Sequence, residues 1–549
     1  MNELLLERAA GGFGQNAFAR RWCTDLLHSF RPAPRLRFDG GEQGTNISVD
    51  GSGASSSSVS LQDGRDQWAH QAGINAMALE RFDGRIMVSG GSDATIRIWD
   101  LEQAGLVGDG DPNNHTFRPI AEIARASTSS GQPPQAARGS LPFSQPSAAP
   151  ARRSEGHRFG VTHLSFYPFD SAAFLSSSFD QTLRLWATAS ARLSGSFNLG
   201  SKVYSHAVSP VADHLLVACA TQHPAVRLVD LRSGAAVQSL VAADQIAGAV
   251  LSVAWSPRHE HILASGSVDG TVRIWDVRRA SGMLALLDQE DSLGMGGVGG
   301  AASASTSHGG SRPTFSRASA KAHAGPVNGL AWTDDGAFLV SAGHDRRIRV
   351  WDMATGANTL VSFGPAVRNS GLSSVPMVVT PTGLTAPRQE LLLWPNETEI
   401  VVFRLHDGAI VTRLRGMGPM QFAVRLAEAA PSPSATSRAP PPPADRSLAR
   451  RNRVTSLVWR GAGGYGSEMG GDVMGGRNSA GALYSGHLDG QIRAWVPAAA
   501  VSGTGAQNED EFMDDDADAT PQAVEERDRK RRALNQAYRS LMGTQITFR

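Results

Sequence analysis

Cysteine is scarce in this chain: Cys23 and Cys219 are the two among 549 residues. Two thiols cannot build a disulfide framework, which suits a reducing compartment such as cytosol or nucleus, and both read as ordinary thiols. Excess charge is missing too, with 52 lysines and arginines against 51 aspartates and glutamates. A chain so balanced has no global field to gather a polyanion, so direct binding to nucleic acid is not the expected activity. No apolar run reaches membrane-spanning length. Residues 2–8 set Glu3 and Glu7 around three leucines, without the basic start or long apolar stretch of a secretory signal. A soluble intracellular protein without a membrane partner is the expectation. The 15 histidines are scattered and no cysteine pair exists, so neither a metal site nor a cofactor is expected.

Glycine and proline are abundant, at 59 and 29 residues, and collect with serine and alanine in stretches that need not fold. Hydrophobic residues at 41%, with 11 tryptophans and 20 phenylalanines, nevertheless supply a sizeable core. Compared with itself, the chain shows one unit recurring about every forty residues where nothing interrupts it. The clearest copies read VSGGSDATIRIWD (88–100), LSSSFDQTLRLWA (175–187), ASGSVDGTVRIWD (264–276), VSAGHDRRIRVWD (340–352) and YSGHLDGQIRAWV (484–496). In each, serine lies four before aspartate and tryptophan six after it.

Each position has a physical role in a small antiparallel sheet. Aspartate sits in the tight turn, serine on the strand before it and tryptophan on the strand after. Alternation in TIRIW, TLRLW, TVRIW, RIRVW and QIRAW buries the aliphatic residues and tryptophan on one face. Three copies add a histidine four residues before the first strand: His70, His157 and His323. The expected buried networks are His70, Ser89, Asp93 and Trp99; His157, Ser176, Asp180 and Trp186; and His323, Ser341, Asp345 and Trp351. Ser265 and Asp269, and likewise Ser485, Asp489 and Trp495, hold the same places without the upstream histidine. Histidine, serine and aspartate together also suggest a hydrolase triad, but one active site does not recur from blade to blade. No unrepeated polar constellation is present, so the protein is not expected to be an enzyme.

Two degenerate copies bring the count to seven. Residues 203–234 keep the strand rhythm with Val229 in place of tryptophan, and residues 390–408 place Phe403 there. An all-β, seven-bladed propeller over 35–500 is the expected fold, closed by a strand from the far terminus, either 36–38 (LRF) or 45–49 (TNISV). Gly-, Ser-, Ala- and Pro-rich insertions at 104–155, 289–320, 427–450 and 461–479 are expected as flexible rim loops. Before the propeller, segment 1–34 reads as helix, glycine break, helix, with Phe18, Trp22 and Leu26 on one apolar face. After it, tail 501–549 carries the acidic run EDEFMDDDADA, then a helix starting at Thr520 and Pro521. Within that helix, Arg529, Lys530, Arg531 and Arg532 suit either nuclear import or a solvated helix face.

The stretches FYPFDSAAFLSSSFDQTLRLW (166–186), VYSHAVSP (203–210), VAWSPRHEHILAS (253–265), IWDVRRASG (274–282) and GHLDGQIRAWVP (486–497) carry a family likeness, and two of them, VYSHAVSP and the WDVRRASG of 275–282, are not generic propeller sequence. From about 68 to 497 the chain resembles the Cockayne syndrome A family, WD-repeat subunits of cullin-4 ubiquitin ligases in transcription-coupled repair. The resemblance implies a nuclear substrate receptor that docks on the large damage-specific DNA-binding adaptor subunit and, through it, on cullin-4. Its implied clients are the Cockayne syndrome B remodeller and stalled RNA polymerase II. It also implies docking through a WDxR motif, here Trp275, Asp276, Val277 and Arg278, with a weaker copy at Val229, Asp230, Leu231 and Arg232. The same position in the seven units reads Glu102, Ala189, Arg232, Arg278, Ala354, His406 and Ala498, so two neighbouring blades carry arginine. Related receptors insert their N-terminal segment into the adaptor, which gives Phe18, Trp22 and Leu26 an adaptor-binding role. A WD-repeat scaffold for another nuclear or cytosolic assembly is the competing expectation.

Overall fold

The computed structural model describes residues 11–12, 15–41, 68–102, 115–126, 155–241, 248–292, 320–415, 453–460 and 481–497, less 35, 234, 280, 281, 382, 383 and 387. Seven antiparallel sheets follow one another around a closed ring. Blade I comprises 74–79, 86–91, 96–100 and 119–123; blade II, 161–166, 173–178, 182–187 and 192–198; blade III, 203–208, 216–221, 226–230 and 235–240. Blade IV comprises 250–255, 262–267, 272–276 and 283–286, and blade V 327–332, 338–343 and 348–352. Blade VI takes 378–379, 391–395, 400–404 and 410–414; blade VII takes 454–460, 482–487 and 492–497. Among the described residues blade V has three strands, and only a single bridge, Trp351 to Asn358, marks its fourth.

The ring closes with neither of the two expected strands. A helix, α1 (Gln15–His28), runs into β1 (Phe30–Pro32), which pairs antiparallel with 495–497 as the fourth strand of blade VII. The strand expected at 36–38 exists as β2 (Leu36–Phe38), but it pairs parallel with His115–Phe117. There Phe38 stacks on Phe117 at 4.8 Å and meets Trp99 and Tyr484 edge-on, filling the seam between blades VII and I. The other candidate, 45–49, lies outside the described residues. The stretch read as a loop at 104–155 likewise contains structure, because Pro119–Ile123 is the fourth strand of blade I. A pairing edge on the third strand overrides the loop-like composition around it. Insertions 427–450 and 461–479, most of 289–320, residues 1–10, 13 and 14 of segment 1–34, and tail 501–549 lie outside the described residues.

Apolar side chains pack mainly between blades. Leu175 and Leu183 of blade II meet Val203, Val217, Cys219 and Val229 of blade III, and similar clusters fill the other seams. Val229 and Phe403 occupy the tryptophan position of their blades: both follow a register shift between third and fourth strands, as Trp99, Trp186 and Trp275 do. A bulge there twists each sheet enough to face its neighbour.

Two polar devices repeat inside the blades. In the first, the turn aspartate accepts the backbone N–H two residues on: Thr95 to Asp93, Thr182 to Asp180, Thr271 to Asp269 and Gln491 to Asp489 at 3.0 Å, and Arg347 to Asp345 at 3.2 Å. The intervening residue takes a left-handed φ, tolerated by Ala94, Gln181 and Arg346 because the carboxylate holds the turn. In the second, tryptophan Nε1 donates to serine Oγ at 2.7–2.9 Å in blades I, II, IV, V and VII. In blades I, II and V that hydroxyl lies 2.7–2.8 Å from His70, His157 or His323 Nε2. His157 and His323 reach Asp180 and Asp345 through Nδ1 at 2.9 and 3.0 Å, and His70 stands 3.4 Å from Asp93. A carboxylate only accepts, so at the 2.9 Å contact with Asp180 the proton sits on His157 Nδ1 and Nε2 accepts from Ser176. Tryptophan, serine, histidine and aspartate then form one directed chain in blade II, while in blade I the link from His70 to Asp93 runs through Thr95 Oγ1, 3.0 Å from the ring nitrogen and 2.7 Å from the carboxylate.

Burial sets the charge state of these chains. It pulls His157 and His323 below the ordinary histidine value despite their aspartate partners. Burial alone would raise Asp93, but the bond and charge of His70 outweigh it and bring the carboxyl down to about 2. Asp180 and Asp345 move the same way through His157 and His323. Blade VII differs: His487, on the serine's own strand, bonds Ser485 at 2.9 Å, and Arg493 pairs with Asp489 at 2.7 Å. Burial then outweighs Arg493 and raises Asp489.

Two outcomes follow for stability. Phe30→Ala should lower the urea unfolding free energy by about 3–5 kcal/mol, since Phe30 is buried against the cores of blades VI and VII. Asp93→Asn should cost about 1–2 kcal/mol at pH 7. Asp93 ionises more readily folded than unfolded, so its contribution is complete above its unfolded value of 3.8 and fades as pH falls toward 2. Urea midpoints of wild type and variant should therefore converge over that interval.

Candidate protein-docking site

In blades I, III, IV and V the third strand ends in aspartate before the turn that follows it. That carboxylate caps the amide two residues on: Glu102 by Asp100, Arg232 by Asp230, Arg278 by Asp276 and Ala354 by Asp352, at 2.9–3.1 Å. The aspartate of the WDxR motif thus has a structural job in several blades, and what varies is the residue it caps. Arg232 and Arg278 occupy the same turn of blades III and IV, which are neighbours in the ring, and both are exposed.

The two arginines are held differently. Arg278 forks onto its own Asp276, Nε to Oδ1 at 3.0 Å and Nη2 to Oδ2 at 2.9 Å. Arg279 adds a contact at 3.6 Å, and the bond from Arg278 holds the Asp276 carboxyl below its usual value. A planar guanidinium used this way keeps free N–H groups pointing outward. Arg232 makes no side-chain bond among the described residues; Asp230 serves only its amide. At the other expected positions, Glu102 binds Arg460 at 3.1 Å and His406 binds Glu390 at 2.8 Å, so both are spent within the propeller. Ala498 lies outside the described residues. Trp275 itself is buried and belongs to the network with Ser265.

Beside Arg278 opens a cavity of about 710 Å³ between blades IV and V. Its walls are the turns joining first and second strands, Arg258–Ile262 and Gly336–Ala337, with Trp332, Leu284 and Met353 as apolar lining. His261 Nε2 contacts Glu260 at 2.8 Å, and its ring stacks on His214, which leans on Trp255. No sequence signal marks this groove, because it forms from loops of two blades. Among the described residues no cluster of histidine, cysteine, aspartate and glutamate could hold a metal ion. No helix among them is long and apolar enough to cross a membrane.

Helix α1 lies against the propeller at its C-terminal end, where Leu27 joins Phe30, Leu391, Leu393 and Trp495 in one buried cluster. Leu26, one residue away, remains partly exposed. The side chains of Phe18 and Trp22 lie outside the described residues. The helix is therefore anchored by Leu27, which is not one of the three expected contacts.

Fold and recurring networks define a WD-repeat propeller. The WD domain, G-beta repeat family matches residues 65–100, 149–187, 239–276 and 315–352, which take in the first three strands of blades I, II, IV and V. The chain belongs to the WD-repeat family, as a relative of the WD repeat-containing protein ATCSA-1 of Arabidopsis thaliana. Those two are 30% identical over 398 residues, 63% of this chain and 79% of the relative. Radiation-sensitive protein 28 of Saccharomyces cerevisiae is 27% identical over 208 residues, 36% of this chain and 38% of its own length. Ribosome biogenesis protein ytm1 of Aspergillus niger is 27% identical over 286 residues, 52% of this chain and 53% of its own.

Proposed function

We propose that this protein is the substrate-recognition subunit of a cullin-4 RING ubiquitin ligase in transcription-coupled nucleotide excision repair, working in the nucleus and performing no catalysis itself. It docks on the large damage-specific DNA-binding adaptor subunit and brings the Cockayne syndrome B remodeller and RNA polymerase II to the ligase. The observation that carries this reading is the pair Arg232 and Arg278 at one turn of adjacent blades, with the 710 Å³ groove beside Arg278. The Arg278 guanidinium, held by the buried Asp276 carboxylate, is preorganised to read carboxylates or carbonyls of a partner, which is the character of an interface anchor, and Arg232 sets a second exposed cation beside it. The resemblance to the Cockayne syndrome A family and the ATCSA-1 match support the same assignment.

A scaffold role in another assembly is favoured by the ytm1 matches, which cover about half of this chain. The two readings part in one experiment. Tagged protein captured from a nuclear extract should bring down the adaptor and cullin-4, and Arg278→Ala should weaken adaptor binding about tenfold. An extract that yields neither partner, or equal binding by Arg278→Ala and wild type, would support the scaffold instead. Deleting residues 1–29, which leaves β1 in place, should reduce adaptor capture further; undiminished capture removes the helix from the interface.

A further inference from the structure

The turn between second and third strands of blade V lies at the opposite end of its third strand from the turn that carries Arg278 in blade IV. It therefore faces away from the proposed adaptor. Beside it is a cavity of about 340 Å³ floored by the buried side chains of Ile348, Phe363 and Val367. Three arginines line it, Arg346, Arg347 and Arg349, against one carboxylate, Glu290. Arg349 is occupied, with Nη1 on Asp345 at 2.9 Å and Nη2 on Gln289 at 2.8 Å. Arg346 and Arg347 are exposed, and neither makes a side-chain bond among the described residues. Asp345 serves the Arg347 amide and the Arg349 guanidinium, so it leaves both exposed cations unneutralised.

Blade V also departs from its neighbours here. Its chain starts down the fourth-strand path, with Thr359 N–H donating to Val350 O at 3.0 Å, and then turns away at Leu360. Leu360 has a left-handed φ of 59° and is 64% exposed. A leucine in that conformation is uncommon and costs backbone energy. The consequence is a pocket where the other blades place a fourth strand, with an apolar side chain at its lip.

We infer that this pocket receives an acidic segment of a client protein, seating one apolar side chain on Ile348, Phe363 and Val367 while flanking carboxylates engage Arg346 and Arg347. Charge complementarity names the occupant: two unpaired guanidiniums beside an apolar floor match alternating carboxylate and aliphatic residues. A nucleic-acid strand fits less well, because the aromatic ring in the pocket, Phe363, is buried and offers no face for base stacking. The inference rests on the receptor reading for its biological setting.

The test uses the full chain and a fluorescein-labelled peptide Glu-Asp-Leu-Asp-Glu, followed by anisotropy in low salt. No adaptor is present, so the pocket is read whether or not the ligase assignment holds. Wild type should bind saturably, and replacing the peptide leucine by serine should weaken binding. The double variant Arg346→Glu, Arg347→Glu should weaken it roughly tenfold or more, as loss of charge-assisted hydrogen bonds requires. The double variant Arg346→Lys, Arg347→Lys should recover part of the loss, which a misfolded protein does not do. Absent binding, equal binding by wild type and the glutamate variant, or equal binding of the leucine and serine peptides overturns the proposal. Tighter binding of labelled oligothymidylate, lost in the same variant, overturns it in favour of nucleic acid.

Discussion

The bond from a tryptophan ring nitrogen to a serine hydroxyl, ten residues earlier in sequence, is the contact on which each complete blade depends. It ties the third strand to the second from inside the sheet, where neither group finds water. The serine hydroxyl accepts from tryptophan and donates to histidine, so removing it leaves two buried polar groups without partners. Histidine in turn lets the turn carboxylate stay ionised while largely buried. Blade VII reaches the same end with His487 and Arg493, which shows that the requirement is satisfaction of the serine and the aspartate and not one residue pattern.

Much of this was legible in the sequence because it repeats. Spacing of serine, aspartate and tryptophan identified the blades, and even the substitutes Val229 and Phe403 fell at the bulge position. The closing strand was not legible. FRP at 30–32 is three residues long, contains proline and follows a helix directly, so local propensity gives no sign of it. Only its pairing with 495–497 selects it, and the equally short LRF is drawn to 115–117 by the packing of Phe38. The fourth strand of blade I was hidden for a similar reason, as a short paired segment within a loop-like stretch. His487 carried a weak signal: its blade lacks the upstream histidine and has one two places after the serine.

The candidate docking residues show a comparable division. The repeated turn made Arg232 and Arg278 comparable across blades, and the structure gives both the same amide cap. Their unequal tethering was not legible, because Asp230 and Asp276 are identical in sequence and differ only in what surrounds them. Grooves at blades IV and V were equally invisible, since each is lined by turns far apart in the chain. What distinguishes this propeller from a generic one therefore resides in departures from the repeat: the arginines after the third strands of blades III and IV, and a blade V that has three strands among the described residues.

Closure of blade VII by β1 has a kinetic meaning. Phe30 leaves the ribosome ahead of every blade, yet its partner Pro497 ends the third strand of the last one. Throughout synthesis the three-residue strand and the helix before it wait without their sheet, while blades I to VI accumulate behind them. Among the described residues ring closure joins the strands farthest apart in sequence, and such non-local pairing is intrinsically slow, so a chain stalled late in translation exposes an open seam between its first and last blades.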